Sequence, residues 1–167
     1  MTMLTPMIGE LQQEGVTTRR MLERVPADKL TWRPHPKSMS LGQLALHLAT
    51  VPGTLACLSQ PAEFEIPPDA FNQKEADSVE EILTAHDSSL QTAQECVCGF
   101  DDGAAMASWR LMRGGREILA LPRGAMLRSL MLNHWYHHRG QLSVYLRMLE
   151  VAVPSIYGPS ADENPFA

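Results

Sequence analysis

Two histidines spaced one helical turn apart inside an apolar stripe are the feature that most restricts how this chain can fold. His134 and His138 lie in residues 133–141, and a helical apolar pattern continues on both sides. Its members nearest the pair in phase are Leu127, Met131, Tyr145 and Leu149. Because a helix advances about 100° per residue, these six side chains fall within roughly 60° of one another. Buried imidazoles need partners, and a metal ion satisfies two histidines at i and i+4.

The alternative for the pair is two core imidazoles bonded to serine, tyrosine or water. Their central place in the stripe favours the metal. His47 is the best third ligand, because it lies at the edge of the apolar face of another predicted helix. Three histidines with an open position form a catalytic type of metal site, not a closed structural one. Since imidazole suits zinc, nickel, iron and copper, ligand type does not identify the metal.

The other histidines are weaker candidates. His86 falls on the inward face of the third predicted helix, where it is either a ligand, a base lining the site or a satisfied core residue. His137 points away from the stripe, towards a hydrogen-bond partner or solvent. His35 lies between two prolines in a loop and is expected at the surface.

Composition bounds the class of protein. The chain has 167 residues, of which 44% are hydrophobic and 20% charged, so we expect a single domain over residues 1–167. A net charge of -5 argues against nucleic acid as the main partner. No window approaches the roughly 18 apolar residues of a membrane span, and we expect no signal peptide because its pattern is absent from the first residues. Three cysteines, an odd and small number, fit a reducing cytoplasm.

Apolar periodicity predicts four helices. They cover residues 5–25, 41–58, 78–97 and 125–150. Proline and turn-forming residues make 60–77 a loop, and two short arms around Gly114-Gly115 predict a β-hairpin over residues 109–121. We therefore predict an all-α fold, a four-helix bundle with a short β-hairpin between the third and fourth helices. The core of such a bundle is a natural metal site, because facing helices each offer ligands.

The sequence lacks the motifs of several known classes of enzyme. Trp135 occupies the position where the H-E-x-x-H zinc motif requires glutamate. No glutamate precedes a histidine by three residues, as a di-iron bundle needs. A phosphate-binding glycine loop and a G-x-S-x-G nucleophile elbow are also absent from the sequence.

Three segments carry a resemblance to a known family. In residues 133–149 the two histidines precede Arg139-Gly140-Gln141 and Tyr145-Leu146-Arg147. Trp32-Arg33-Pro34 leads into residues 40–44 and His47, and a tail runs from Pro154 to Glu163. In order and spacing these segments resemble the DinB/YfiT-like family of metal-dependent proteins.

The resemblance implies a four-helix bundle, usually dimeric, whose histidine triad binds a divalent metal ion, often zinc or nickel. Carried over residue by residue, the metal ligands are His47, His134 and His138. It further implies a small-molecule substrate and a homodimer. From charge and hydropathy we expect no nucleic-acid or membrane partner. Relatives include transferases that use low-molecular-weight thiols, so such a thiol is a possible cofactor.

Three functions remain open. The metal can activate a thiol, giving a thiol S-transferase, or a water molecule, giving a hydrolase. The third alternative is a non-catalytic metal- or ligand-binding protein of the stress response. No catalytic residue is assigned. Candidate supporting groups are Arg139 or Arg128 for a carboxylate, Tyr145 or Tyr136 beside the nucleophile, and Gln141 or Asn133 as hydrogen-bond partners of the ligands.

Overall fold

A computed structural model describes residues 2–167 and confirms a mostly helical chain. The helices are α1 (Thr5–Leu22), α2 (Leu41–Leu58), α3 (Val79–Cys98), α4 (Asp102–Met106), α5 (Arg123–Met126) and α6 (His134–Met148). A 3₁₀ turn, Ala27–Lys29, lies between α1 and α2, and a π-helical segment, Leu127–Asn133, joins α5 to α6. α2 packs against α3 and α6, and α1 packs mainly against α3. The four-helix bundle itself stays a prediction.

The sheet differs from the predicted hairpin. Strands β2 (Ser108–Arg113) and β3 (Arg116–Pro122) are antiparallel around Gly114 and Gly115, whose φ angles are 60° and 73°. These left-handed conformations suit a tight two-residue hairpin turn. A third strand, β1 (Glu63–Glu65), pairs parallel to β2, so the sheet is mixed and has the order β1-β2-β3. The prediction of an all-α fold with only a β-hairpin is therefore wrong for this region. The sequence did not reveal β1, because three residues are too few to show the alternation of a strand.

The π-helical segment changes the apolar stripe of the last helix. Its i→i+5 bonding breaks the 100° spacing between Leu127 and His134. Beyond it, the fully buried side chains are Trp135, Arg139, Leu142 and Leu146. His138 lies at the edge of that stripe, and His134 is half-buried. The two histidines therefore flank the stripe instead of forming its centre, with their rings turned towards α2.

α2 begins at the predicted residue because Ser40 caps it. The Ser40 hydroxyl accepts from the Gln43 backbone N–H, and the Gln43 side chain accepts from the Ser40 N–H. α2 is also long and apolar enough to cross a membrane, with a mean hydropathy of 1.4 over 18 residues. The expectation that no window approaches the length of a membrane span is therefore wrong. Since 61% of that window is buried inside the protein, it is accounted for as a core helix.

Pro52 interrupts the hydrogen bonding of α2 without ending the helix. Proline has no N–H, so the Leu48 carbonyl lacks its helical donor. The indole N–H of Trp135 donates to this oxygen instead, at 3.0 Å. The next residue, Gly53, donates its N–H to the Ser89 hydroxyl at 2.8 Å, and a Cβ at Gly53 would lie 2.8 Å from the Ser89 carbonyl oxygen. The Pro52-Gly53 pair thus brings α2 close to both α3 and α6.

The C-terminal tail lies against the helices. Asp162 pairs with Arg147 of α6, and Glu163 pairs with Arg20 of α1. The same two carboxylates accept the backbone N–H groups of Val153 and Ser155, both at 2.9 Å. These contacts fix the tail on the outside of the helical layer.

Candidate metal centre

The three predicted histidines converge on one point between α2 and α6. The Nε2 atom of His134 lies 3.1 Å from that of His47 and 2.6 Å from that of His138. One ligand atom from each ring lies within 4.8 Å of the others. α2 supplies one ring and α6 supplies two rings a turn apart. The predicted cluster is therefore present, and its role as a set of metal ligands stays a prediction.

Neighbouring residues hold the two helices in this relation. His47 precedes Leu48, and His134 precedes Trp135, so the bond from the Trp135 indole to the Leu48 carbonyl lies directly beside the histidine cluster. Trp135 and Leu48 are both fully buried. Packing and one hydrogen bond thus set the spacing between α2 and α6 at the height of the rings.

Burial keeps the cluster neutral. Burial, reinforced by the neighbouring rings His138 and His134, lowers the pKa of His47 to about 4. Burial also lowers the pKa of His138 to about 4, against an opposing hydrogen bond to Gln141. The pKa of His134 is lowered by burial and by His137. Neutral imidazole is the form that binds metals, so at pH 7 all three rings are in the state that a metal site requires.

Gln141 is the predicted supporting residue that the structure places correctly. Its Oε1 atom lies 2.7 Å from Nδ1 of His138. If Nδ1 carries the proton and donates it to this oxygen, Nε2 is left with a free lone pair facing the other two rings. Asn133, the other candidate, is exposed, and no side-chain hydrogen bond joins it to the part of the chain described, 2–167.

The two candidate arginines do not reach the cluster. Arg139 is 1% exposed and forms an ion pair of 2.6 Å with Glu14, so it is not free to bind the carboxylate of a cofactor. It also donates to Thr18 at 3.1 Å and to Tyr157. Arg128 forms an exposed ion pair of 2.6 Å with Glu10. The π-helical segment explains the error, because it turns Arg139 into the stripe.

The candidate tyrosines are also committed elsewhere. Tyr136 donates its hydroxyl to Glu10 at 2.7 Å, and Tyr145 donates to the backbone carbonyl of Met39 at 3.2 Å. Neither phenol lines the cavity beside the histidines. A role for either one beside a nucleophile has no support in this arrangement.

The remaining histidines lie outside the cluster. His86 is buried, with Nδ1 3.2 Å from the Asp87 carboxylate and with no hydrogen-bond partner at Nε2 among residues 2–167. It is a core residue, and the alternatives of a ligand or a site base are wrong. His137 and His35 are exposed.

A cavity of about 570 Å³ opens beside the cluster. The sequence did not reveal it, because its walls come from distant segments. One face of α2 lines it, together with Phe64 of β1, Trp109 and Leu111 of β2, and Leu130 of the π-helical segment. A smaller cavity of about 310 Å³ on the other side of His47 contains Lys74 and Glu81, which pair at 2.5 Å. His47 therefore lines both cavities, whereas His134 and His138 line only the larger one.

The cysteines play no part in the cluster. The sulfur atoms of Cys57 and Cys96 lie 3.9 Å apart near the surface. Burial raises the pKa of the Cys96 thiol to about 11, and the hydrogen bond with Cys57 is the second cause of this rise. None of the three cysteines lines the larger cavity. A thiol that reaches the histidines must therefore come from another molecule.

The chain matches the model of the DinB family over residues 1–165 and belongs to that family. Over 156 residues it is 28% identical to the uncharacterized protein YrdA of Bacillus subtilis strain 168, a match that covers 90% of this chain and 85% of YrdA.

Solved structures agree on the fold. A DinB-like protein of Bacillus cereus ATCC 10987 is 23% identical with a TM-score of 0.66, and the match covers 86% of this chain and 91% of that protein. The Bacillus subtilis protein YjoA, also DinB-like, is 17% identical with a TM-score of 0.70, over 92% and 98% of the two chains. At these identities the likeness shows the fold alone.

Proposed function

We propose that this DinB-family protein binds a divalent metal ion through His47, His134 and His138 and acts on a small molecule there. The observation that carries the proposal is the convergence of three neutral imidazole nitrogens beside a cavity. Zinc and nickel suit such a set of ligands, since both accept imidazole nitrogen.

The cluster fits a metal ion after small rotations of its rings. A tetrahedral zinc ion with bonds of about 2.0–2.1 Å separates its ligand nitrogens by about 3.3 Å. The observed separations, 3.1 Å and 2.6 Å, need only small ring rotations to match it. The contact of His138 with Gln141 is the supporting hydrogen bond that metal-bound histidines usually make. Three ligands leave a coordination position open, as in catalytic zinc sites.

A thiol S-transferase is the activity that we propose first. A bound divalent ion supplies one piece of chemistry here, which is to lower the pKa of a thiol that coordinates it. No Asp, Glu or Cys among residues 2–167 lines the larger cavity. The larger cavity thus offers neither a cysteine sulfur nor a carboxylate base, and activation of an external thiol by the ion needs neither. The thiol is then a low-molecular-weight cofactor.

A hydrolase is the alternative activity. It would use water in place of the thiol. The lack of a cavity carboxylate weakens this alternative, because a metal hydrolase commonly uses one to move the proton of its water. A non-catalytic binding protein is the third candidate. A cavity of about 570 Å³ beside a ligand set with an open position supports a small-molecule partner whether or not the protein is catalytic.

Metal analysis tests the proposal. The untagged protein is purified without chelator or added metal and measured by inductively coupled plasma mass spectrometry beside two variants. His138→Ala removes a proposed ligand, whereas His137→Ala removes its exposed neighbour. We expect about one divalent ion per chain in the wild type and in His137→Ala, and little in His138→Ala. Equal metal content in all three proteins, or no metal after reconstitution with zinc or nickel, rejects the assignment.

Assembly and location complete the proposal. We infer a homodimer in the cytoplasm, for which the support is the family resemblance and the low cysteine content. Two apolar side chains four residues apart on α6, Val144 and Met148, are more than half exposed and offer one surface for a second copy. Light scattering coupled to size-exclusion chromatography measures the mass directly.

A further inference from the structure

The larger cavity is a groove that follows one face of α2. Its α2 lining recurs at helical spacing, from His47 through Val51 and Leu55 to Leu58. The eleven steps from His47 to Leu58, each with a rise of 1.5 Å, make this wall about 16 Å long. Within α2, His47 is the lining residue nearest the start of the helix, so the α2 wall extends from the proposed ion towards the end of the helix.

The groove is apolar along its length. Its deepest lining residues, Val51, Trp109 and Met126, are 3%, 1% and 0% exposed. Phe64, on the strand that the sequence did not reveal, and Leu111, its partner on β2, form the opposite wall. The polar lining side chains other than the histidines are neutral: Thr50, Thr54, Asn72 and Gln73. Hydrogen bonding is thus available at only a few points.

The groove contains no side chain that can neutralise an anion. Across residues 2–167, no Lys, Arg, Asp or Glu contributes to its lining. The nearest ammonium by position is Lys74, which lines the smaller cavity and is already paired with Glu81 at 2.5 Å and Asp77 at 3.9 Å. Moving an ionised carboxylate from water into an apolar space without a counter-charge is strongly unfavourable.

We propose that this groove selects an elongated, uncharged and mainly apolar small molecule, which places a single metal-binding group at the histidines. The inference rests on the proposed function for the ion at the histidines. It names the class of substrate for the same site: the apolar body lies along α2, and charged groups of a thiol cofactor stay outside the groove, at its mouth.

Alkyl hydroxamic acids are suitable probes, because the hydroxamate binds divalent metals and the tail can be varied. Isothermal titration calorimetry with the zinc-loaded protein compares acetohydroxamic acid, octanohydroxamic acid and the monohydroxamate of suberic acid. The last two have equal chain length and differ in a terminal methyl or carboxylate. We expect affinity to rise about three- to fourfold per buried methylene. We expect the carboxylate to weaken binding at least tenfold relative to the methyl.

A charge placed in the groove provides the decisive variant. Thr54 lines the groove but is exposed, so Thr54→Lys can fold without a buried charge. It should reduce the tenfold preference for the methyl end to threefold or less. Ile118→Lys, at a position 54% exposed on β3 and outside the groove lining, adds the same charge elsewhere and should leave the preference unchanged. Circular dichroism confirms that both variants are folded.

The outcomes separate the two proposals. Zinc-dependent binding with no effect of tail length, or equal binding of the two long probes, overturns the groove inference and leaves the metal site standing. N-phenyl-1-naphthylamine, a neutral dye without a metal-binding group, covers the converse case. If hydroxamates bind equally with and without zinc while the dye binds wild type and is weakened several-fold in Thr54→Lys, the metal proposal fails and the groove remains. If the dye does not bind, the groove inference is rejected.

Discussion

Trp135 donates its indole N–H to the carbonyl oxygen of Leu48, the oxygen that Pro52 leaves without a helical donor. A proline inside a helix normally costs stability through this lost bond. Here a residue of another helix replaces the donor, and both partners are fully buried. His47 and His134 adjoin the two bonded residues. The contact that supplies the missing donor in α2 therefore also aligns the proposed metal ligands.

Trp135→Phe tests this coupling. It keeps an aromatic ring but leaves the Leu48 carbonyl buried and unpaired, which should lower the free energy of unfolding by about 1–3 kcal/mol. Zinc affinity should fall as well, because the spacing of α2 and α6 is less constrained. Urea denaturation followed by circular dichroism measures the first effect, and competition with a chromogenic chelator measures the second.

A double-mutant cycle with Pro52→Ala provides the control. Replacing the proline restores a backbone N–H for the Leu48 oxygen, so Trp135→Phe should then cost at least about 1 kcal/mol less than in the wild-type background. Additive effects of the two substitutions would show that the indole contributes packing only.

Gln141 is expected to tune metal affinity and not the fold. Its side chain is half-buried and accepts from His138, so Gln141→Leu removes the partner that orients this ring. We expect zinc affinity to fall about 10- to 100-fold with little change in the unfolding free energy of the metal-free protein. Gln141→Glu retains an acceptor oxygen and should restore most of the affinity. If Gln141→Leu binds zinc as tightly as the wild type, the orienting role is wrong.

The strong local signals of the sequence predicted α2 and α3 closely, whereas α4 and the π-helical segment before α6 were not predicted. α2 spans the predicted residues 41–58 because the cap at Ser40 and the apolar periodicity agree. α3 begins where Ser78 caps it, although Glu81 reaches the Asp77 N–H and not that of Ser78 as a full capping box requires. The histidine cluster was predictable for a similar reason, since a polar pair in an apolar helix stands out in any sequence.

What the sequence could not show depends on contacts between distant segments. The π-helical segment has no residue signature, and it places Arg139 in the core. β1 pairs with β2, which lies more than 40 residues further along the chain, and its three residues carry no detectable pattern of their own. The groove is a product of these two features, since β1 and the π-helical segment form its walls.

The buried Arg139–Glu14 pair should act on stability and not on ligand binding. Removing one member leaves the other charge buried, so Arg139→Met should lower the unfolding free energy by about 3–5 kcal/mol. Arg128→Met breaks the exposed pair with Glu10 and should cost less than about 1 kcal/mol. Denaturant unfolding compares the two variants. A weaker affinity for octanohydroxamic acid in folded Arg139→Met, with no matching loss in Arg128→Met, would contradict a purely structural role.

His86 should make stability depend on pH. Burial lowers its pKa, an effect that Asp87 partly opposes, and its Nε2 has no partner among residues 2–167. Below its ordinary pKa of about 6.5 the unfolded chain binds a proton that the folded chain resists. The stabilisation from the neutral ring is therefore complete above about pH 6.5 and is lost as the pH falls towards the lowered value. His86→Leu should remove this part of the pH dependence.

Urea unfolding of the metal-free proteins at pH 7.5, 6.5, 5.5 and 5.0 measures the effect. The wild type should lose more stability between pH 7.5 and 5.0 than His86→Leu does, and the contribution of the histidine cluster cancels because both proteins retain it. His35→Gln changes an exposed histidine and should follow the wild-type curve. Parallel curves for the wild type and His86→Leu would show that the buried ring takes up its proton as easily in the folded state as in the unfolded chain.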